Sequence, residues 1–373
     1  MKFSIEKSTF VNGLQQGINV VASKVMMPIL NNVLIEAADN TVSLTTSSLD
    51  LGICCQVRAT VSTPGKITLP AKKLATIIRA MPSEEIKFEL VGSSVRLSSG
   101  GSHFEIMGLP SEDFPALPEC TEQNKYSIAQ DEFLRLLKNV SYAQSRDGNR
   151  YILNGVYFSL ENGNFMVVAT DGRRLSMMSK ELGEKGSADG VIVPSKTIAE
   201  IERLLGQGEK MWFSFEENQI VFGLSVKDDE KTGLIGDIKI VSKVIDGNYP
   251  NFKQVIPQST ENRVKIDRQL FLDSIQRVSL VASENKNSVK LHFTPNTLEI
   301  SAASAEYGQS HEKLAIVYDG PEVQVAFNPV FLCDPLKALV QDEVFFEFKD
   351  ELSPGVFKTL DSFLCVVMPL RIG

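Results

Sequence analysis

The chain has 373 residues, 43% of them hydrophobic and 23% charged, which excludes disordered and collagen-like classes and supplies enough apolar material for two or three cores. The longest apolar stretches run for only a few residues, as at 365–370, and residues 1–13 lack a cationic start and an apolar run. Neither a membrane span nor a secretory leader is expected, and the chain reads as cytoplasmic. Five cysteines without a CxxC pair and three scattered histidines argue against a zinc site or a disulfide scaffold, and a net charge of −8 repels nucleic acid unless positive charge is gathered in one place.

In chain order, a short alternating strand followed by a helix opens at residues 2–23 (KFSIEKSTFVNGLQQGINVVAS) and returns at 125–145 (KYSIAQDEFLRLLKNVSYAQS) and 263–283 (RVKIDRQLFLDSIQRVSLVAS). Each helix carries a phenylalanine with an aliphatic residue four positions on: Phe10 with Leu14, Phe133 with Leu137, Phe271 with Ile275. Ile29-Leu30-Asn31-Asn32 recurs as Ile152-Leu153-Asn154-Gly155 at the same 123-residue offset as Phe10 and Phe133, while Phe271 follows Phe133 by 138. A second strand and helix recur at 65–81, 189–205 and 322–340, with Pro70, Pro194 and Pro329 near the helix starts. Similar turns close the first two copies, DFPALP (113–118) and GNYPNFKQVIP (247–257).

The chain is therefore predicted to be α+β, three repeated domains of strands and two helices each, with boundaries at 1–122, 123–257 and 258–373. The extra length of the second copy falls in polar stretches at 180–190 and 227–237, expected as surface loops. The predicted helix windows are 6–24, 71–81, 129–146, 194–207, 266–283 and 327–340. Together they sum to +5, which leaves −13 on the residues outside them. Leu74, Ile77, Ile78 and Met81 form one apolar stripe and Phe133, Leu136, Leu137 and Val140 another, so each helix has one face for a sheet and one for solvent. Lys72, Lys73, Arg79, Arg135, Lys138 and Lys196 fall on outward faces, where they form either a solvated surface or a shared cationic lining. Helix axes pack about 10 Å apart, so six in a circle leave a bore of roughly 19 Å and twelve a bore of roughly 38 Å. Only the second passes a hydrated duplex about 20 Å across, and it requires two chains. Such a ring would touch phosphates without reading bases.

Residues MPILNN (27–32), YILNGVYF (151–158), VATDGRRLS (168–176), VIDGNYPNF (244–252), FNPVFL (327–332) and VVMPLRIG (366–373) together resemble the bacterial DNA-polymerase sliding clamp, the beta subunit of the replicative polymerase holoenzyme, across nearly the whole chain. The resemblance implies three DNA-clamp domains per chain, each with two helices packed on antiparallel sheets, in a head-to-tail homodimer forming a closed ring. It implies a processivity factor that encircles duplex DNA irrespective of sequence, with no cofactor and no membrane. Its implied partners are the polymerase catalytic subunit, the clamp loader, and other polymerases and repair factors that dock short peptides. By motif position the implied peptide pocket comprises Leu153, Thr170, Gly172, Arg173, Arg174, Leu175, Pro250, Val255, Asn328, Leu352, Pro354, Val366, Val367, Met368, Pro369, Leu370 and Arg371, with arginines capping the polar end of the peptide. Lys24, Arg146, Arg150 and Tyr151 match duplex-facing positions, and Phe104, Ile106, Leu280 and Val281 match the dimer contact. Without the resemblance, 366–370 reads as a buried strand, ATDGRRL as a hairpin turn, and the four contact candidates equally as core. Three positions depart from the pattern: Lys286 where an aromatic can stand at the pocket rim, Phe331 for a frequent tyrosine, and Pro335 inside the last helix, where a kink is expected.

An enzyme is the competing class. Asp171 beside Arg173 and Arg174 could handle phosphate, and Cys365 with His311 could pair nucleophile and base, but GxxxxGK[ST], HExxH and GxSxG motifs are all missing. The expectation is a protein without catalytic activity.

Overall fold

The computed structural model describes residues 1–21, 27–117, 125–183, 186–228, 232–282 and 287–371. Among them are six α-helices: α1 (Lys7–Gly17), α2 (Ala71–Ala80), α3 (Gln130–Lys138), α4 (Ser195–Leu204), α5 (Arg268–Ser279) and α6 (Pro329–Ala338). One lies in each predicted window. The chain divides into two compact units, one of residues 1–134 with 196–244 and the other of residues 135–195 with 245–373, so the second sequence copy contributes to both.

In the first unit a five-stranded sheet runs in the order Thr60–Thr63, Lys2–Glu6, Glu85–Val91, Ser94–Ser99, Ser102–Met107. An eight-stranded sheet joins Lys125–Ala129, Lys210–Phe215, Gln219–Ser225 and Leu234–Lys243 to Leu51–Arg58, Thr41–Ser47, Asn32–Ala38 and Gly65–Pro70. The seam is antiparallel, with Val241 opposite Gly52 and Ser242 opposite Leu51. Helix α1 packs against α2. Phe10 meets Phe3 edge-on at 6.3 Å, and Phe133 lies 6.1 Å from both Phe213 and Phe222, so the repeated phenylalanine anchors helix to sheet as its spacing predicts.

The second unit repeats the plan. Its eight-stranded sheet joins Ala188–Pro194, Gly155–Glu161, Asn164–Thr170 and Arg174–Glu181 to Leu364–Val367, Gly355–Lys358, Glu343–Phe348 and Asn262–Asp267. A four-stranded sheet runs in the order Gly308–Ala315, Thr297–Ser304, Val289–Thr294, Val323–Phe327. Residues 262–267 alternate buried and exposed without a break, the period-two pattern of a sheet with one covered face. Asn162 and Gly163 both take positive φ, 51° and 82°, and so form the tight turn between Gly155–Glu161 and Asn164–Thr170. Phe271 packs against Phe346 and Phe357, and α5 packs against α6.

Two expectations need correction. The windows 6–24, 129–146 and 266–283 overshoot: after the first two helices apolar residues stay buried though the helix has ended, and after the third the apolar run continues as exposed Leu280 and half-buried Val281. Val20 and Val21 are core beyond Gly17, whose carbonyl accepts the Thr46 hydroxyl at 2.9 Å. The loops expected at 180–190 and 227–237 are partly strand, with Leu234 buried and paired to Val57. Pro335, where a kink is expected, lies inside helix α6, which runs from Pro329 to Ala338. Lys286 lies outside the described residues.

Candidate functional site

The hairpin Asn164–Thr170/Arg174–Glu181 turns on Asp171, Gly172 and Arg173 in the second unit. Gly172 has φ +83°, the left-handed region that favours glycine. The neighbouring side chains tie the turn together. Thr170 Oγ1 accepts from the Gly172 amide (3.1 Å) and donates to the Arg174 carbonyl (2.6 Å), while Asp171 Oδ1 accepts from the amides of Arg173 (2.9 Å) and Arg174 (3.1 Å). The strand Leu364–Val367 lies alongside, with Val366 opposite Leu175. Beyond it the tail is pinned twice, by the Met368 amide on the Arg173 carbonyl (2.9 Å) and the Leu370 amide on the Ala326 carbonyl (2.7 Å).

Beneath the turn Leu175, Val366, Val168, Phe252 and Val356 form a buried apolar floor, bordered by Tyr157, Tyr249, Ile256 and others. Around it stand exposed apolar residues: Val255 at 46%, Leu352 at 71% and Met368 at 41%. The Leu352 loop is fixed by Asp350, whose carboxylate accepts the amides of Leu352 (2.9 Å) and Ser353 (2.8 Å). A cavity of about 390 Å³ opens between Val255, Ile256, Pro354 and Met368, with Gln254, Gln258, Lys349 and Ser353 as its polar wall. Such a surface offers an apolar seat with polar edges to an extended peptide. Gln254, Ile256 and Lys349 were missed in the sequence; only their closeness to Val255 and Leu352 points to them.

The seventeen pocket candidates separate by depth. Gly172, Arg173, Pro250, Val255, Leu352, Met368, Leu370 and Arg371 are exposed, and Leu153, Asn328, Pro354 and Pro369 are half-buried. Thr170, Arg174, Leu175, Val366 and Val367 are buried. Within 366–370 the strand residues Val366 and Val367 are core, while Met368 and Leu370 reach the surface. Arg174 departs from the expected peptide-capping role. It is 8% exposed, and its guanidinium bonds Asp334 Oδ2 (2.6 Å), Asp171 Oδ2 (3.2 Å) and the Tyr142 carbonyl (2.7 Å) while lying 4.7 Å from the Phe331 ring centre.

Of the cationic candidates, Lys72, Lys73 and Arg79 are exposed on α2, whose Leu74, Ala75 and Ile78 are buried. Lys138, Arg146, Tyr151 and Lys196 are also exposed. Arg150 is exposed too and donates to the Asp171 carbonyl at 3.1 Å, and Arg135 is half-buried and pairs with Asp361 at 3.2 Å. Lys24 lies outside the described residues.

The four contact candidates are surface rather than core. Phe104 (40% exposed) and half-buried Ile106 sit on the edge strand Ser102–Met107, near exposed Met107. Leu280 (80% exposed) and half-buried Val281 follow α5 in the second unit. There the Ser310 hydroxyl on the Val278 carbonyl (2.7 Å) and Arg277 on Glu312 (2.7 Å) tie α5 to the edge strand Gly308–Ala315.

The catalytic alternative meets two obstacles. Asp171 is consumed by the turn, and Cys365 is fully buried, which pushes its thiol up to about 12, far from a reactive thiolate. Among the described residues no group of three or more His, Cys, Asp or Glu is placed to hold a metal ion, and no helix is long and apolar enough to cross a membrane.

Three family models match the chain: the DNA polymerase III beta subunit N-terminal domain over residues 1–118, its central domain over 127–251 and its C-terminal domain over 253–371. The chain is 30% identical to the beta sliding clamp of Proteus mirabilis over 377 residues, covering 100% of both. It is similar, at TM-score 0.92 and 28% identity, to the crystal structure of the DNA polymerase III beta subunit from Pseudomonas aeruginosa, again with 100% of both chains covered. The C. crescentus beta sliding clamp, solved with polyethylene glycol on its proposed beta-motif tethering region, matches at TM-score 0.91 and 30% identity with the same coverage.

Proposed function

The chain belongs to the DNA polymerase III beta sliding clamp family, the non-catalytic processivity factors of that polymerase, and from this we propose that two copies close head to tail around duplex DNA and tether their partners through the groove beside Gly172. The observation that carries the tethering is the apolar rim of Val255, Leu352 and Met368, left open above a floor of Leu175 and Val366. A folded chain has reason to leave such residues in water where they await a ligand. Short hydrophobic segments of the polymerase catalytic subunit, the clamp loader and repair factors dock there. Rebinding of a tethered polymerase then becomes intramolecular, at high effective concentration.

Closure uses the first domain of one copy against the third of its partner. Two edge strands, Ser102–Met107 and Gly308–Ala315, each paired on one side only among the described residues, support this, as do exposed Phe104 and Leu280. The helices line the hole, with Lys72, Lys73, Arg79, Lys138, Arg146 and Lys196 facing phosphates through mobile side chains. Loaded protein should stay on closed circular DNA and run off after linearisation, and replacing Lys72, Lys73 and Arg79 together with glutamate should abolish loading while the dimer persists. Retention on free linear ends would refute encirclement, and unchanged loading of the triple variant would favour an adaptor with no DNA inside.

A further inference from the structure

Arg174 is walled in where a ligand-facing arginine was expected, and the groups that wall it in come from separate elements. Asp171 belongs to the turn, the Tyr142 carbonyl to the segment after α3, and Asp334 and Phe331 to α6. Asp171 also receives the amides of Arg173 and Arg174, and the Arg173 carbonyl receives the Met368 amide. A chain of contacts thus runs from the Asp334 carboxylate through the guanidinium to the turn, and from the turn to Met368 on the groove's rim. A guanidinium fork held by two carboxylates, with an aromatic ring 4.7 Å away, fixes orientation as well as distance.

We propose that Asp334 is a positioning residue for peptide docking: it touches no peptide, but through Arg174 it holds the Asp171–Arg173 turn and the Met368 wall in their binding geometry. This rests on the groove being the docking site. With Asp334 neutralised, the guanidinium keeps only Asp171 as carboxylate partner, and a buried charge that loses a partner relaxes toward water. The turn follows it.

The test uses the full-length protein and a fluorescein-labelled hexapeptide with two leucines and a terminal phenylalanine. Anisotropy is read beside thermal unfolding and the amide resonances of Gly172 and Met368. Asp334→Asn should bind about tenfold more weakly, with both amides displaced and dimer mass unchanged. Asp334→Glu, whose longer side chain shifts the guanidinium without discharging the pair, should bind about threefold more weakly. A purely structural role would lower the unfolding temperature but leave affinity and both amides as they are well below it, and that result in Asp334→Asn overturns the inference. Should Asp334→Asn not fold, Asp334→Glu decides on the same readouts. If the wild-type chain itself ignores the peptide, the groove reading falls and takes this inference with it.

Discussion

Replacing Leu280 by alanine tests closure of the ring at a site whose folded chain has little to lose. Leu280 follows α5 and is 80% exposed, so truncating it leaves no internal cavity. Covering a whole leucine side chain contributes about 2 kcal/mol, and the four-fifths still exposed therefore about 1.6 kcal/mol per contact. A closed two-copy ring contains that contact twice, so the variant should lose roughly 3 kcal/mol, about a hundredfold in the dimer dissociation constant. Sedimentation equilibrium across a dilution series reads this directly, with circular dichroism as the check that the monomer is intact. Phe104→Ala, on a residue 40% exposed, should give a smaller loss of the same kind. If the two residues meet across the joint, their effects will not add. A dimer constant unchanged in Leu280→Ala, or a wild-type chain already monomeric at micromolar concentration, would refute the reasoning.

Gly172→Ala should cost about 1–2 kcal/mol at the turn, because a Cβ at φ +83° is strained and would stand 2.9 Å from the Arg150 guanidinium, whose bond to the Asp171 carbonyl would then give way. Peptide affinity should fall while calorimetric unfolding moves only a few degrees, and wild-type affinity would show that the turn tolerates another conformation. Glu347 is buried, which raises its carboxyl pKa, but hydrogen bonds from Lys358 and Thr260 outweigh this and hold it below the usual glutamate value. The folded state therefore keeps the charge while the unfolded chain takes up protons. This contribution to stability is complete above the unfolded value and is lost as pH falls through the folded one. Denaturant midpoints measured from pH 6 to pH 3 (about the carboxylate range) should fall less steeply in Glu347→Gln than in wild type, and parallel curves would exclude the pair.

The threefold plan was legible because its anchors are periodic and apolar: Phe10, Phe133 and Phe271 are fully buried and meet partner rings. Helix ends were not, since burial continues past them at Val20, Val21 and Val140, and periodicity cannot tell a helix from a buried turn that follows it. In the groove, residue types gave the turn and the apolar rim. They could not give the depth of Arg174, because an arginine's reach is set by where its partners lie, and Asp334 is 160 residues away. For Leu280 and Phe104 the ambiguity was inherent, as the same side chains suit a core or an uncovered face, and only their exposure separates the two.

The seams between sequence copies have a consequence for how such a protein can be cut or recombined. Strand Arg174–Glu181 borrows its neighbour Leu364–Val367 from the third copy, and Leu51–Arg58 borrows Leu234–Lys243 from the second. A fragment ended at either repeat border would bare a long row of unsatisfied amides and carbonyls beside valines and isoleucines, a template for aggregation. The unit that repeats in the sequence is therefore not the unit expected to survive alone, and shuffling should succeed only with breakpoints that keep each eight-stranded sheet whole.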